Sequence, residues 1–430
     1  MKKEKAPRKE RKKKKTGRKV LLGILIVLVL FFGVTAVISV IGNKQNAAKI
    51  ASIPAVTYEN QLVPQQDENG NWRFTTDREL KVLQLTDVHI GGGWLSTKKD
   101  AMALNAVAAM VTAEKPDLVV VTGDVGYPVP FQAGTLNNKA SAKLFADLME
   151  KLGVYWTVCF GNHDTEAYSY YSREKISDFY SGDAFSYCLY QAGPEEIAGF
   201  GNQIIHVQDS RGVLTQAIYL FDSHSYTDGD WFGIFWKYDN IHQDQVDWYK
   251  KNVLADNAAN AATFKSLGLT GDSTVKSALF FHIPLVEYRD AWVEYVENGF
   301  KDTENVKLYY GTAGESKRVL YPGIGEDTLF ETAQELGSTK AIFCGHDHLN
   351  NFSLDYKGIR LTYGMSIDYL AYIGIYQQGT QRGCTVITFA PDGSFDCKPE
   401  NYYQDKYAAP FEKEPVTMQE IVPLDEIPLD

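Results

Sequence analysis

Cysteine is scarce in this chain: five residues in 430, at Cys159, Cys188, Cys344, Cys384 and Cys397. An odd number at scattered spacing builds no disulfide framework. No Cys-x-x-Cys pair and no His-Glu-x-x-His run occurs, which excludes a thiolate zinc site and a zinc-protease helix of the usual kinds. Internal repeats and a glycine-rich nucleotide loop are also missing. Basic residues are sparse beyond the first 19 positions. Those 19 hold twelve Lys/Arg and two Glu, leaving 31 basic and 52 acidic residues in the rest, a net charge of −21. So acidic a body argues against nucleic acid as a general ligand, because phosphate backbones are drawn to Lys/Arg surfaces.

Charge disappears altogether over residues 20–42. At about 1.5 Å per residue this apolar run is long enough to cross a hydrocarbon core of about 30 Å. It exceeds the apolar region of a secretory signal peptide, on the order of 7–15 residues. The basic flank precedes it, so the positive-inside rule puts the N-terminus in the cytoplasm and the body outside. The expected division is a basic cytoplasmic tip (1–19), a transmembrane signal-anchor helix (20–42), a juxtamembrane linker (43–77) with a polar turn at 65–71, a globular domain (78–400) and an acidic C-terminal extension (401–430).

The globular part alternates strand and helix. Apolar runs at 81–86, 117–122, 154–160, 277–283 and 339–344 read as strands, as do 204–207, 216–221, 359–363 and 384–389. Helical spacing appears at 98–113, 139–152, 243–254 and 327–336. Such alternation predicts an α/β fold with its site at the carboxyl ends of the strands. The Leu118-Val119-Val120-Val121 run suits a strand covered on both faces. Cys159 and Cys344 fall in two of these strands, where small buried hydrophobes belong.

Five of the eight histidines lie in short clusters, most of them directly after such a strand. The clusters are Asp87-Val88-His89, Gly123-Asp124, Gly161-Asn162-His163-Asp164, Phe281-His282 and Gly345-His346-Asp347-His348. Carboxylate, amide oxygen and imidazole are ligands for hard and borderline divalent ions, and there are enough of them to hold two side by side. His206, in an apolar strand, His224, in a polar loop, and His242, at a helix start, read as structural or surface residues.

The ordered set of clusters resembles the calcineurin-like metallophosphoesterases. The resemblance spans about 80–389, and the segments Leu220-Phe221-Asp222-Ser223, Asp244-Gln245-Val246-Asp247-Trp248 and Tyr363-Gly364 through Arg382-Gly383 are similar to the purple acid phosphatase-like branch. It implies a sandwich of two mixed β-sheets flanked by helices, here preceded by one N-terminal transmembrane helix. It further implies that Asp87, His89 and His348 bind a first metal, that Asp124 bridges, and that Asn162, His282 and His346 complete a second site. His163 would face the substrate, oriented by Asp164. Two divalent ions, Mn, Fe or Zn, about 3.5–4 Å apart would activate a bridging hydroxide against a phosphate mono- or diester. Gly123-Asp124-Val125-Gly126-Tyr127 matches a purple acid phosphatase motif whose tyrosine ligates iron, yet those enzymes lack a histidine at the position of His89. That favours His89 as the ligand and Tyr127 as packing. The expected partners are a phosphorylated small molecule or cell-envelope substrate and the membrane. The competing reading is a catalytically silent metal- or phosphate-binding surface module. Loop 91–94 either closes on the substrate or packs as a turn, and the aromatic loop 231–236 lines a pocket, faces the membrane or, the commoner fate of such residues, packs in the core.

Overall fold

The computed structural model describes residues 8–227, 229–230, 233–315, 320–325, 327–372, 374–377 and 381–419, with side chains of the first helix from residue 18. Two mixed β-sheets lie face to face between helices. Between the sheets, Phe74, Val82, Leu118 and Val120 pack with Ile205, Ile218, Phe280 and Phe343. A second apolar layer joins the smaller sheet to its helices, and a third joins the larger sheet to the opposite helices.

The smaller sheet has β3 (Leu80–Leu85), β4 (Leu118–Thr122) and β5 (Trp156–Cys159) as parallel neighbours, with β13 (Gly383–Phe389) and β14 (Phe395–Asn401) antiparallel at one side. All five residues of β4 are buried, as β-branched side chains on a doubly covered strand should be. The larger sheet runs β1 (Gln65–Gln66), β2 (Trp72–Thr75), β6 (Gln203–Gln208), β7 (Leu214–Leu220), β8 (Lys276–Phe280), β10 (Thr339–Cys344), β12 (Ile359–Tyr363), β11 (Ser353–Tyr356) and β9 (Val306–Tyr310). Strands β7, β8, β10 and β12 are parallel. Their carboxyl ends meet those of β3, β4 and β5, and every site residue comes from the loops that leave those ends.

Helix α4 (Asn138–Leu152) shows why the helices hold their places. Ala142, Phe145, Met149 and Leu152 are buried, a spacing that puts them on one face. Gly153 (φ +70°) ends it in the left-handed conformation.

The N-terminal helix α1 (Arg8–Ser52) extends well past the apolar run. Its stretch from Arg18 to Ser52 is long and apolar enough to cross a membrane. Residues 43–52, expected as linker, are its last turns, and they pack on the domain. Ile50 and Ile53 enter the core, Asn43 Nδ2 donates to Gly92 O (2.9 Å) and Asn46 Nδ2 to Thr97 O (3.0 Å). Further along the same expected linker, β2 pairs with β6. The extension beyond 401 also docks: Tyr402, Tyr403 and Tyr407 are buried, and the backbone of Phe411 exchanges hydrogen bonds with Asn105. Composition concealed both attachments, since each is polar overall and anchored by a few residues.

Gly91 and Gly92 donate backbone hydrogen bonds to Asp100, and Trp94 meets Phe31 of α1 edge-on (6.4 Å between centroids). Loop 91–94 is thus a packed turn directed at α1. Of the loop 231–236, Trp231 and Phe232 lie outside the described residues; Ile234, Phe235 and Trp236 are exposed.

Candidate metal centre

The turns after the strands are tight, and the backbone records it. Asp87, His89, Asp124 and His346 have positive φ (48°, 53°, 53° and 79°), a region that costs non-glycine residues on the order of 1–3 kcal/mol each and that clusters at functional sites. Glycine is needed where the turns touch. A Cβ on Gly123 (φ +85°) would lie 2.5 Å from His282 Nδ1, and one on Gly161 would overlap the Asp124 carboxylate.

Asp124 sits fully buried at the centre. Its Oδ1 accepts the His163 backbone N–H (2.8 Å). Its Oδ2 lies 3.3 Å from His89 Nε2 and 3.2 Å from His282 Nε2, so one carboxylate faces both halves of the site. On one side, Asp87, His89, Asp124 and His348 bring four donor atoms within 4.8 Å of one another. On the other, Asn162 Oδ1 lies 3.1 Å from His282 Nε2 and 3.0 Å from His346 Nδ1, and those two ring nitrogens are 3.3 Å apart.

The tautomers show which atoms face inward. His282 Nδ1 donates to Thr122 O (2.8 Å), leaving the Nε2 lone pair in the site. His89 Nδ1 lies 3.0 Å, and His348 Nδ1 3.6 Å, from the Asp368 carboxylate, charge contacts without hydrogen-bond geometry, and the Nε2 atoms of the two rings lie on the other side, 3.3 Å from Asp124 and 3.5 Å from Asp87. Asp87 Oδ1 is buried without a hydrogen-bond partner. Converging lone pairs and an unpartnered carboxylate oxygen are what a cation satisfies, so the residues fit metal ions.

The electrostatics agree. Burial raises the Asp87 carboxyl to about 6. Although burial opposes charge on Asp124, His282 and His163 hold it well below the ordinary carboxylate value. Burial also opposes charge on the rings, but Asp368 and Asp124 raise His89 well above its usual value, and Asp124 raises His282 to about 9. His346 and His348 move down, His348 to about 3, because burial and neighbouring histidines disfavour their charged forms. Cations entering here displace protons from imidazoles, so metal loading depends on pH.

Asp164 does not orient His163. Its carboxylate accepts the backbone N–H groups of Gly161, Asp124 and Gly126 (2.8, 3.0 and 2.8 Å) and clamps two motifs together. The His163 ring is held by Glu166, whose Oε1 is 2.6 Å from Nδ1. Asp164 precedes the turn that would bring it under the ring, whereas Glu166 sits one turn on. Tyr127 packs on His89 (4.7 Å between centroids) and its hydroxyl donates to Gln132. Burial and nearby carboxylates raise its pKa, which keeps it a neutral phenol.

Asp368 and Glu166 escape sequence reading. Asp368 is fixed by the N–H groups of Leu370, Ala371 and Tyr372 and by buried Arg382, which donates to Ile367 O and Asp368 O. Asp368→Asn is expected to weaken binding of the first ion by roughly 10–100-fold, the usual cost of an outer-shell change, measured by competition with a chelator. The other motifs are scaffold. Ser223 Oγ accepts the N–H groups of His282 and Ile283, Asp222 pairs with Arg173, and Gln245 donates to Asp222 O. His206 pairs with Asp256 (3.2 Å), away from the site.

A cleft of about 380 Å³ opens over the centre. His163, His346 and His348 form its floor; Tyr127, Tyr168, Tyr226, Trp236, Tyr238 and Tyr372 form much of its wall. Tyr226 OH accepts from Asn162 Nδ2 (3.0 Å), and the Tyr238 ring lies 4.2 Å from that of His346.

Residues 80–350 match the family model for calcineurin-like phosphoesterase, and the chain belongs to that family. It is similar to "Probable inactive purple acid phosphatase 14" of Arabidopsis thaliana, 29% identical over 321 residues, covering 70% of this chain and 73% of the plant protein. It is also similar to "Phosphatase DCR2" of Saccharomyces cerevisiae, 28% identical over 303 residues, covering 65% of this chain and 46% of the yeast protein. Among solved structures, a dimetal phosphatase from Danio rerio aligns with a TM-score of 0.48 at 12% identity, over 76% of this chain and 98% of that one.

Proposed function

We propose that this chain is a membrane-anchored phosphoesterase that hydrolyses a phosphate mono- or diester at a two-metal centre outside the cytoplasm. The observation that carries the reading is the convergence of Asp87, His89, His348, Asn162, His282 and His346 on the two faces of Asp124. Two divalent ions held there supply Lewis acidity toward the phosphoryl group and lower the pKa of water to about 7. Asp124 supplies charge to both positions. Asp368 keeps the outer nitrogens of His89 and His348 engaged, so their inner nitrogens stay aimed at the site. The tyrosine walls take up the substrate's remaining groups and exclude water. The apolar run 20–42 within α1, preceded by basic residues, supports the anchored orientation. A phosphorylated small molecule or cell-envelope component fits the size of the cleft.

His163 is the acid. Glu166 holds its Nδ1 proton, which leaves Nε2 to deliver a proton to the leaving oxygen. Burial disfavours the charged ring, but Asp124 and Glu166 outweigh it and raise the pKa above 6.5. Bound cations oppose that rise, so turnover is expected to decline as pH rises through the pKa that His163 has in the loaded centre. Glu166→Gln removes one of the two carboxylates responsible, so the alkaline limb of the pH–rate profile is expected to move to lower pH. An unmoved limb would remove His163 and Glu166 from proton transfer.

A silent binding module is the second reading, favoured by the word "inactive" in the name of the plant relative. The unbroken donor set with His163 supports catalysis instead. Assay of phosphate mono- and diesters with manganese, zinc or iron separates the two.

A further inference from the structure

Behind the cleft, two limbs of chain, residues 224–227 and 236–239, meet at a narrow neck. Tyr226 and Tyr238 pair across it as an antiparallel bridge. Thr227 N donates to Lys237 O (2.9 Å) and Asp239 N to Ser225 O (3.2 Å). The two neck tyrosines are those that touch Asn162 and His346. Immediately below them, His224 and Asp239 lie on the two limbs, and His242 starts helix α6 (Gln243–Leu267).

We propose that His224, Asp239 and His242 form a third, separate metal site, selective for zinc-class ions, that clips this neck shut. One ligand atom from each of the three residues lies within 4.8 Å of the others. His242 Nε2 is 3.3 Å from both Asp239 oxygens; the His224 and His242 rings stack 4.1 Å apart at 23°, so one ring must turn about its Cβ–Cγ bond for both in-plane lone pairs to meet a single ion. A tetrahedral zinc with bonds of about 2.0–2.2 Å spaces its donors about 3.3–3.6 Å apart, so His242 and Asp239 already have the required separation. Two imidazoles and one carboxylate suit Zn(II) better than Mg(II) or Ca(II). Burial lowers the pKa of His224, so its ring is neutral and able to ligate. His224 also adopts a left-handed backbone (φ 62°), which turns it toward the opposite limb. His242 and Asp239 are partly open to solvent, so water can take the fourth position. The positive end of α6 opposes a cation here, and the Asp239 charge offsets it.

Bound metal would cross-link the two limbs and α6, and so hold Tyr226 and Tyr238 against the catalytic centre. Both limbs are already hydrogen-bonded, so the ion adds rigidity to an existing backbone contact and asks only for a side-chain rotation.

The test is zinc stoichiometry of the full chain in detergent, read by elemental analysis after equilibration and gel filtration, for the parent and for His242→Asn. Asn keeps the helix cap and removes the imidazole. The expected result is one zinc per chain fewer in H242N, whatever the occupancy of the dinuclear centre. Hydrogen exchange of the 225–239 amides should also slow with zinc in the parent alone. His224→Gln provides an independent second variant, with the same loss expected. Equal zinc in the parent and both variants overturns the proposal.

Discussion

Asp124→Asn is expected to reduce phosphoester hydrolysis to background and to strip the centre of metal. The carboxylate is buried, with one oxygen taken by the His163 backbone and the other equidistant from the inner nitrogens of His89 and His282. Asparagine preserves the volume and one acceptor oxygen, and that oxygen can keep the His163 contact. The amide nitrogen then points where a negative donor stood, toward the position of two cations. The loss of affinity should exceed the roughly 10–100-fold of an outer-shell change, because a charged donor shared by both ions is removed. Elemental analysis alongside an ester assay checks it. A variant that keeps its metal and its turnover would show that Asp124 bridges nothing.

His163→Ala should behave in the opposite way toward metal. The ring is held by Glu166, packs on Tyr127 (4.7 Å) and meets the His89 ring edge-on (5.7 Å), yet stands outside the group of donor atoms around Asp87, so the ion content should stay that of the parent while turnover falls roughly 10²–10⁴-fold, the usual contribution of a positioned acid. The loss should shrink for esters with acidic leaving groups such as nitrophenol, which depart without a proton. An equal loss on both kinds of ester would give His163 a binding role. Loss of metal would place it among the ligands.

Much of this was legible in the chain because the informative residues are local. A buried strand such as 118–121 announces itself through β-branched residues, and each cluster follows its strand directly. Helix α7 (Val286–Glu297) escaped notice because its buried face, Tyr288, Ala291, Trp292 and Tyr295, is mostly aromatic and suits a strand equally well. The second half of α6 escaped because 255–267 carries almost no apolar stripe; only Asn260 is buried there. Edge strands β1 and β9, and β11 between β12 and β9, are short or polar, and pairing alone defines them.

The same distinction divides the site. Six of the seven donors share short motifs with glycine, aspartate or asparagine, and the seventh, His282, follows its strand directly after Phe281. Asp368 stands 20 residues beyond the last cluster and reaches His89 only through the β12 turn and Arg382. Glu166 was within reach, since three residues on from His163 is one turn. The tyrosines of the neck carry no sequence mark, because their position depends on how a lobe of irregular chain folds back.

The most direct test of the two-metal account is the manganese content of the full chain in detergent, measured together with hydrolysis of a phosphate mono- and diester before and after chelation. The account predicts two tightly held ions per chain, hydrolysis abolished by chelator, and recovery when manganese returns. Absence of bound metal under every loading, or hydrolysis indifferent to chelation, would contradict it.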